Sequence, residues 1–140
     1  MVKRVLFVDD DLSLLFLYRR VFTRMGYETF TASSAEEALE FIRDQELDAV
    51  VVDVRLGGEK DGLDLLARIQ ERRRIPSIIN TAYASYRRTF LSWAADTYVV
   101  KSSDLTELAE ALHRLVAPTV PAEEGAPVRG TIAAVGAPPG

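Results

Sequence analysis

Four short apolar runs in this chain each end at polar side chains that can bind metal ions or phosphate groups. The runs cover residues 5–8, 50–52, 78–79 and 98–100, and the polar residues that follow them are Asp9, Asp10 and Asp11, then Asp53, then Asn80 and Thr81, and last Lys101. In a parallel α/β sheet the carboxyl ends of the strands open onto the same edge, where ligands bind. The pattern therefore predicts a parallel sheet that gathers these scattered side chains into one site.

Short runs rich in β-branched residues alternate with longer stretches of helical periodicity, which is typical of a parallel sheet covered by helices on both faces. We predict strands near residues 3–8, 27–31, 48–53, 76–81 and 97–101, and helices near 12–25, 34–45, 62–73, 85–94 and 104–116. The predicted class is α/β, a flavodoxin-like (βα)5 fold whose doubly wound parallel sheet has five strands in the order 2-1-3-4-5.

Several helix ends carry local signals. Asp11 is expected to cap the first helix, and Gly26, which tolerates positive φ, is expected to end it. Capping boxes are expected from Ser34 with Glu37 and from Asp104 with Glu107. The residues of the first helix expected to face the sheet are Leu14, Leu17, Tyr18, Val21, Phe22 and Met25.

Composition excludes several classes of protein. The chain has no cysteine and a single histidine, His113, which excludes disulfides and also metal sites built from thiolates or several histidines. A formal net charge of -4 argues against a nucleic-acid surface, which normally needs a basic stripe. No apolar stretch approaches the roughly 20 residues of a membrane span, and acidic residues come too early for a signal peptide. We therefore expect a cytoplasmic protein that binds neither nucleic acid nor membrane.

The composition changes at residue 118. The segment 118–140 holds five of the six prolines and half of the eight glycines, with almost no aromatic residues. Such a segment buries too little apolar surface to offset its ordering entropy. We expect one domain over residues 1–117, followed by a Pro/Gly/Ala-rich flexible tail or the stub of a linker.

The polar set has a coherent chemistry. Asp9, Asp10 and Asp53 would repel one another unless a cation lay among them, and ligands that are all oxygen favour Mg²⁺. Lys101 would add a positive charge and Thr81 a hydroxyl donor. These groups together are suited to a carboxylate that attacks phosphorus, because they balance the charge of the transferring phosphoryl group.

From Val2 to about Val116 the chain resembles the receiver domain of bacterial two-component response regulators. The resemblance covers about four-fifths of the chain. The matching motifs are Asp9-Asp10 after the first strand, Asp53 after the third, Asp61-Gly62 in the next loop, Thr81 after the fourth strand, and Tyr98-Val99-Val100-Lys101.

The resemblance implies a role for each matching residue. Asp53 would be the phosphoacceptor and would also ligate Mg²⁺. Asp10 would bind the ion directly and Asp9 through water, while Arg55 would contribute its backbone carbonyl. The phosphoryl donor would be a sensor histidine kinase or a histidine phosphotransfer protein, so that the chain is a phosphoacceptor and not an enzyme.

The resemblance also implies a signalling mechanism. Lys101 and Thr81 would sense the phosphoryl group, and Tyr98 would be an aromatic switch that turns inward when the Thr81 loop moves. A surface position at the strand edge is the alternative for Tyr98. The switch would change the face formed by the helices predicted at 85–94 and 104–116 and the strand between them, for a downstream protein target. No output domain is expected in this chain.

Some positions depart from the receiver pattern. Ser102 stands where a proline commonly follows the lysine. Without that proline, the sequence does not determine whether the Lys101 side chain points into the site. The loop after Asp53 is one residue longer than usual and has Gly57 where proline is common, and Ala94 replaces a glycine before the fifth strand.

Two further departures concern the rim of the site. Arg55 and Tyr83 fall where side chains flank the attacking water, and their bulk predicts slow hydrolysis of the phosphoryl group. Leu15 and Phe16 stand where receivers often carry polar residues on the first helix. They are expected either to add to the core or to form an apolar patch for a phosphotransfer partner or a homodimer.

Other functions remain as alternatives at this point. A pseudo-receiver acting as a protein-binding scaffold is the main one, although such proteins usually lose one of the acidic residues or the lysine. An aspartyl phosphatase would need a second catalytic aspartate and a cap domain. A flavin carrier would need a phosphate-binding loop after the first strand, where this chain has three aspartates that would repel phosphate.

Overall fold

The computed structural model describes residues 2–56, 61–72, 74–82 and 95–118 of the chain. Five parallel strands form one sheet in the order β2-β1-β3-β4-β5, as predicted. The strands are β1 (Arg4–Val8), β2 (Glu28–Ala32), β3 (Ala49–Val52), β4 (Ser77–Thr81) and β5 (Thr97–Val100). Every residue of β3 and β4 is buried, because helices cover both faces of the sheet at these central strands.

Four helices are described: α1 (Leu12–Arg24), α2 (Ala35–Asp44), α3 (Asp61–Arg72) and α4 (Thr106–Leu115). The helix predicted at 85–94 lies outside the described residues, so α4 corresponds to the helix predicted at 104–116. The predicted tail lies outside them from residue 119 onward. None of the helices within the described ranges is long and apolar enough to cross a membrane.

The sheet separates two apolar layers. Alternate strand residues such as Phe7, Val51 and Ile78 pack with α1 and α4 on one face. Their neighbours, among them Val52 and Ile79, pack with α2 and α3 on the other. Strand side chains alternate between faces, so this assignment also tells which side chains at the strand ends share a face.

The end signals of α1 are confirmed and one capping box is shifted. The Asp11 carboxylate accepts hydrogen bonds from the backbone N–H groups two and three residues on, and Gly26 has φ of 104°. Ser34 Oγ accepts from the backbone N of Glu37 at 3.2 Å. The Glu37 carboxylate accepts from the backbone N of Ser33 at 2.7 Å, one residue earlier than the reciprocal bond of a capping box.

The capping box predicted from Asp104 and Glu107 is wrong. The helix begins at Thr106, and the Asp104 carboxylate accepts from both the backbone N and the hydroxyl of Thr106, at 2.9 and 2.6 Å. An aspartate readily bonds the backbone two residues on, and this turn delays the start of α4.

The orientation of α1 corrects two predictions. Leu15 is buried, with 5% of its surface exposed, so it belongs to the core and not to a partner surface. Leu17, predicted to face the sheet, is 37% exposed, whereas Tyr18, Phe22 and Met25 are buried as predicted. Nearly every residue in the first half of α1 is apolar, so periodicity could not distinguish the buried side of that half from its exposed side.

Candidate functional site

The acidic side chains meet at the carboxyl ends of the adjacent strands β1 and β3. Val8 pairs with Val52 in the sheet, so Asp9 and Asp53 follow at the same level. The backbone N of Asp53 donates to Val8 O at 3.0 Å, which continues the ladder past the strand end. Asp9 and Asp53 are buried, 2% and 8% exposed, whereas Asp10 is exposed. The sheet register thus places two carboxylates from distant parts of the chain side by side.

Three carboxylates are close enough to share one cation. One oxygen atom from each of Asp9, Asp10 and Asp53 lies within 4.8 Å of the others. Backbone N–H groups orient two of these carboxylates, since Asp11 N donates to Asp9 Oδ1 at 2.9 Å and Arg55 N donates to Asp53 Oδ1 at 3.2 Å. A donor set made only of oxygen suits a hard divalent cation such as Mg²⁺. The residues present fit the predicted metal.

Lys101 bridges the two buried carboxylates. Its Nζ lies 2.7 Å from Asp9 Oδ2 and 2.8 Å from Asp53 Oδ2. Its backbone N donates to Thr81 O at 2.7 Å, which holds the end of β5 against β4. Lys101 therefore points into the site although Ser102 follows it in place of proline.

Burial and pairing shift the pKa values of the bridge in definite directions. Burial lowers the pKa of Lys101, but the hydrogen bonds to Asp53 and Asp9 together outweigh it, so the net pKa lies above the usual 10.5. Burial raises the pKa of Asp9 above 3.8, and the repulsion from Asp53 acts in the same direction, against the bonds from Lys101 and from the Asp11 backbone. Lys101 is therefore a permanent cation at neutral pH.

Thr81 ends β4 at the same edge. Its Oγ1 is buried and finds no hydrogen-bond partner among the residues that the structure describes. Ile79 pairs with Val52, so Thr81 lies one residue beyond the level of Asp53. A buried hydroxyl without a partner is destabilising, and a ligand oxygen would satisfy it.

Tyr98 lies in the core and is 2% exposed. It pairs with Ile79 across the sheet and packs in the layer that contacts α2 and α3. This inward position contradicts the alternative of a surface aromatic at the strand edge.

Tyr83, the other aromatic residue predicted near the site, lies outside the described residues. The Arg55 side chain is exposed beside Asp53.

Gly62 lets α3 approach the segment that carries Asp53, a role that the motif Asp61-Gly62 did not predict. Its backbone N donates to Val54 O at 2.8 Å, which brings the first turn of α3 against the segment that carries Asp53. A Cβ at this position would lie 1.9 Å from Asp53 O. Only glycine permits this approach, and a glycine directly after the helix start was its sequence signal.

A polar pair that the sequence did not predict lies beneath the site. Asn80 Nδ2 donates to the hydroxyl of Tyr18 at 3.0 Å, and both residues are buried. The signal was an asparagine inside an otherwise apolar strand, together with a tyrosine on the sheet-facing side of α1. Neither residue alone predicts the contact, because 62 positions separate them.

Comparisons with known proteins agree with this geometry. A family model described as the response regulator receiver domain matches residues 5–113. Sporulation initiation phosphotransferase F of Bacillus subtilis is 32% identical over 119 residues, which cover 81% of this chain and 94% of that protein. The transcriptional regulatory protein ZraR of Escherichia coli is 35% identical over 118 residues, and the chain spans only 26% of its length.

Solved structures of response regulators are also similar to this chain. The response regulator TrrA of Thermotoga maritima, crystallised in complex with Mg²⁺ and BeF, superposes with a TM-score of 0.75 at 37% identity, covering 81% of this chain and 99% of that one. A second structure shows TrrA in complex with the histidine kinase ThkA. The matched family model covers most of the chain, including the three carboxylates, Thr81 and Lys101. This chain therefore belongs to the response regulator receiver domain family.

Proposed function

We propose that Asp53 accepts a phosphoryl group from a sensor histidine kinase or a histidine phosphotransfer protein in a reaction that requires Mg²⁺. One observation carries the proposal: the buried Asp53 carboxylate lies at one edge of the sheet with two further carboxylates, an ammonium group and a hydroxyl that has no partner among the described residues. The relatives support it, since one is named a phosphotransferase and another was crystallised with Mg²⁺ and BeF. In this role the chain assists its own phosphorylation and is not an enzyme.

The metal would be held by Asp9, Asp10 and Asp53, with the backbone carbonyl of Arg55 as a further ligand. When bound, Mg²⁺ neutralises charge on the phosphoryl oxygens and on the attacking carboxylate. The position of Lys101 between Asp9 and Asp53 shows that these carboxylates already accommodate positive charge.

The chemistry of the chain is nucleophilic attack. An Asp53 oxygen forms a bond to phosphorus while the P–N bond to the donor histidine breaks, and the electron pair of that bond returns to the imidazole. Lys101 remains protonated throughout and pairs with the phosphoryl oxygens. The Thr81 hydroxyl donates a hydrogen bond to one of these oxygens, which gives its buried Oγ1 a partner.

The signal would travel from Thr81 to Tyr98. The new aspartyl phosphate carries about -1.5 to -2 charge, which draws Thr81 and Lys101 toward it. Tyr98 lies two strand positions before Val100, which pairs with Thr81, so a shift at this end of β4 alters the packing around the tyrosine ring. A coupling of roughly 1–3 kcal/mol is enough to change the affinity for a downstream protein several-fold or more.

The donor protein would dock on the exposed part of α1. Phe16 is 65% exposed, as the partner-surface prediction required, and Leu12, one turn earlier, is 68% exposed in place of the buried Leu15. Both side chains lie on the helix that begins beside the acidic pair, so a protein that presents a phosphohistidine to Asp53 contacts this face. A relative, TrrA, has been crystallised in complex with the histidine kinase ThkA.

The docking surface has its own test. In Leu12→Glu/Phe16→Glu, transfer from a phosphorylated donor protein should slow, while labelling by a small phosphodonor should keep its wild-type rate. Sedimentation at rising concentration tests the alternative of a homodimer. Unchanged transfer from the protein donor together with a monomeric state would reject the patch.

The proposed phosphorylation is tested by incubating the protein with acetyl phosphate and Mg²⁺ and measuring intact mass. We expect one phosphoryl adduct on the wild type, none on Asp53→Asn and none without Mg²⁺. Asp44→Asn removes an exposed aspartate on α2 and is the matched control, which should be labelled like the wild type. An adduct lifetime longer than seconds would support the predicted slow hydrolysis.

An unlabelled wild type that is folded and binds Mg²⁺ would contradict the proposal. That result would favour the pseudo-receiver, a scaffold that binds its partners without phosphorylation.

A further inference from the structure

The hydrogen bond between Tyr18 and Asn80 is unusual for its surroundings. Both side chains are 3% exposed, and the Tyr18 ring lies 5.4 Å from the Phe7 ring in an otherwise apolar layer. Replacing both members of such a pair by apolar groups of similar shape is often neutral for stability. Stability alone therefore gives little reason for a directional bond at this place.

The bond lies directly beneath the proposed phosphoacceptor site. Asn80 follows Ile79, which pairs with Val52, so Asn80 is level with Asp53. Ile78 packs in the α1 layer, and strand alternation puts Asn80 on the same face. The charges of the Lys101 bridge act on the Tyr18 hydroxyl, whose pKa is raised by its burial and lowered in part by its bond from Asn80.

The bond also links the two halves of that site. Tyr18 belongs to α1, which begins at Leu12 immediately after the acidic segment. Asn80 precedes Thr81, the residue whose hydroxyl would contact the phosphoryl group. Hydrophobic contacts have no preferred direction, whereas a hydrogen bond of 3.0 Å fixes both distance and direction.

We propose that Tyr18 is a positioning residue for phosphoryl transfer: acting through Asn80, it holds the Thr81 end of β4 at a set distance from α1 and from Asp53. This inference rests on the proposed function. Catalytic groups displaced by about 1 Å can lose roughly a hundred-fold in rate, so a small shift of Thr81 has a measurable consequence.

The test compares the rate of labelling by acetyl phosphate at saturating Mg²⁺ in wild type, Tyr18→Phe and Tyr18→Phe/Asn80→Leu. We expect Tyr18→Phe to be labelled more slowly by roughly ten-fold, a part of what a full displacement costs. Its Mg²⁺ affinity, measured by calorimetry, should stay within about two-fold of wild type, since the carboxylates are untouched. The double variant should be as stable as wild type and still slow, because its apolar pair packs without fixing a distance.

Tyr27→Phe is the matched control. Tyr27 is also a buried tyrosine, and its hydroxyl donates to Val116 O at 2.9 Å. It directly precedes β2, at the edge of the sheet opposite the site. Losing this hydroxyl should reduce stability and leave the labelling rate unchanged.

The outcomes separate the two proposals. A wild type that takes no phosphoryl group would contradict the proposed function. A labelled wild type with an equally fast, folded Tyr18→Phe would overturn only the positioning role. The role would also be overturned if the double variant recovered the wild-type rate, since packing alone would then suffice.

Discussion

Replacing Lys101 by methionine tests directly how much its ion pairs with Asp9 and Asp53 stabilise the protein. The substitution keeps most of the aliphatic stem and removes the ammonium that lies 2.7 Å from Asp9 and 2.8 Å from Asp53. The two carboxylate side chains are 3% and 10% exposed and would be left without their cation. We expect the free energy of unfolding at pH 7 without Mg²⁺ to fall.

The size of the loss follows from burial. Removing one partner of a buried ion pair costs about 3–5 kcal/mol. Since the Lys101 side chain is 20% exposed and partly hydrated, we expect a loss near the lower end, about 3 kcal/mol. Small domains are typically stable by about 5–15 kcal/mol, so the variant should remain folded but be clearly weakened.

Mg²⁺ should restore much of this loss. A ligand at 100 times its dissociation constant stabilises a protein by about 2.7 kcal/mol. The variant has no ammonium competing for Asp9 and Asp53, so it should bind Mg²⁺ more tightly than wild type and gain more stability from it. It should nevertheless be labelled slowly by acetyl phosphate, because the phosphoryl group loses its fixed counter-charge.

The assay is urea denaturation followed by circular dichroism, with chelator and with saturating Mg²⁺. Lys3→Met, which removes a half-buried lysine just before β1 at the opposite edge of the sheet, is the matched control and should change little. Equal unfolding free energies for Lys101→Met and wild type in chelator would refute the reasoning, since the bridge would then contribute no net stability.

Three further changes have clear expected results. In Gly62→Ala, the added Cβ meets Asp53 O and forces backbone movement, so we expect denaturation to show a loss of about 1–3 kcal/mol and labelling to slow. Asp11→Ala removes the cap of α1 and should lower stability by about 1 kcal/mol in the same assay. Burial raises the pKa of Tyr27 above its usual 10.0, so the folded protein keeps a proton that the unfolded chain releases. This contribution to stability is complete well below pH 10 and is lost as pH rises, by about 1.4 kcal/mol between pH 9 and 11. Tyr27→Phe should remove that loss in denaturation curves across this range. A Gly62→Ala protein as stable as wild type, an unaffected Asp11→Ala or an unchanged alkaline slope in Tyr27→Phe would each reject the corresponding explanation.

Local patterns predicted some helix ends well and others poorly. Asp11 and Gly26 act as predicted because capping and positive φ depend on a few neighbouring residues. Asp104 had the same kind of signal, yet its carboxylate closes a turn with Thr106 and the helix begins later. Two local hydrogen-bond patterns competed there, and sequence alone does not decide between patterns of similar energy.

The buried side of α1 was only partly predictable. Leu15 and Leu17 are equally apolar, but only Leu15 faces the sheet. Which side is buried depends on how the helix packs in the apolar layer with β1 and α4, which places Leu15 in the core and leaves Leu17 37% exposed. Propensity and periodicity contain no such information when apolar residues occur on several sides of a helix.

The sequence by itself determined the strands, the fold class and the set of reactive side chains at the carboxyl edge, because the alternation of apolar runs and polar ends is a local property of the chain. Only the tertiary structure decided that Lys101 bridges Asp9 and Asp53, that Gly62 lies against the Asp53 backbone, and that Tyr18 bonds to Asn80. The contacts of Lys101 and Tyr18 join elements distant in sequence, and the contact of Gly62 joins two consecutive elements. The geometry of all three depends on sheet register and helix packing. Those are set by the burial of the whole core, which no short segment encodes.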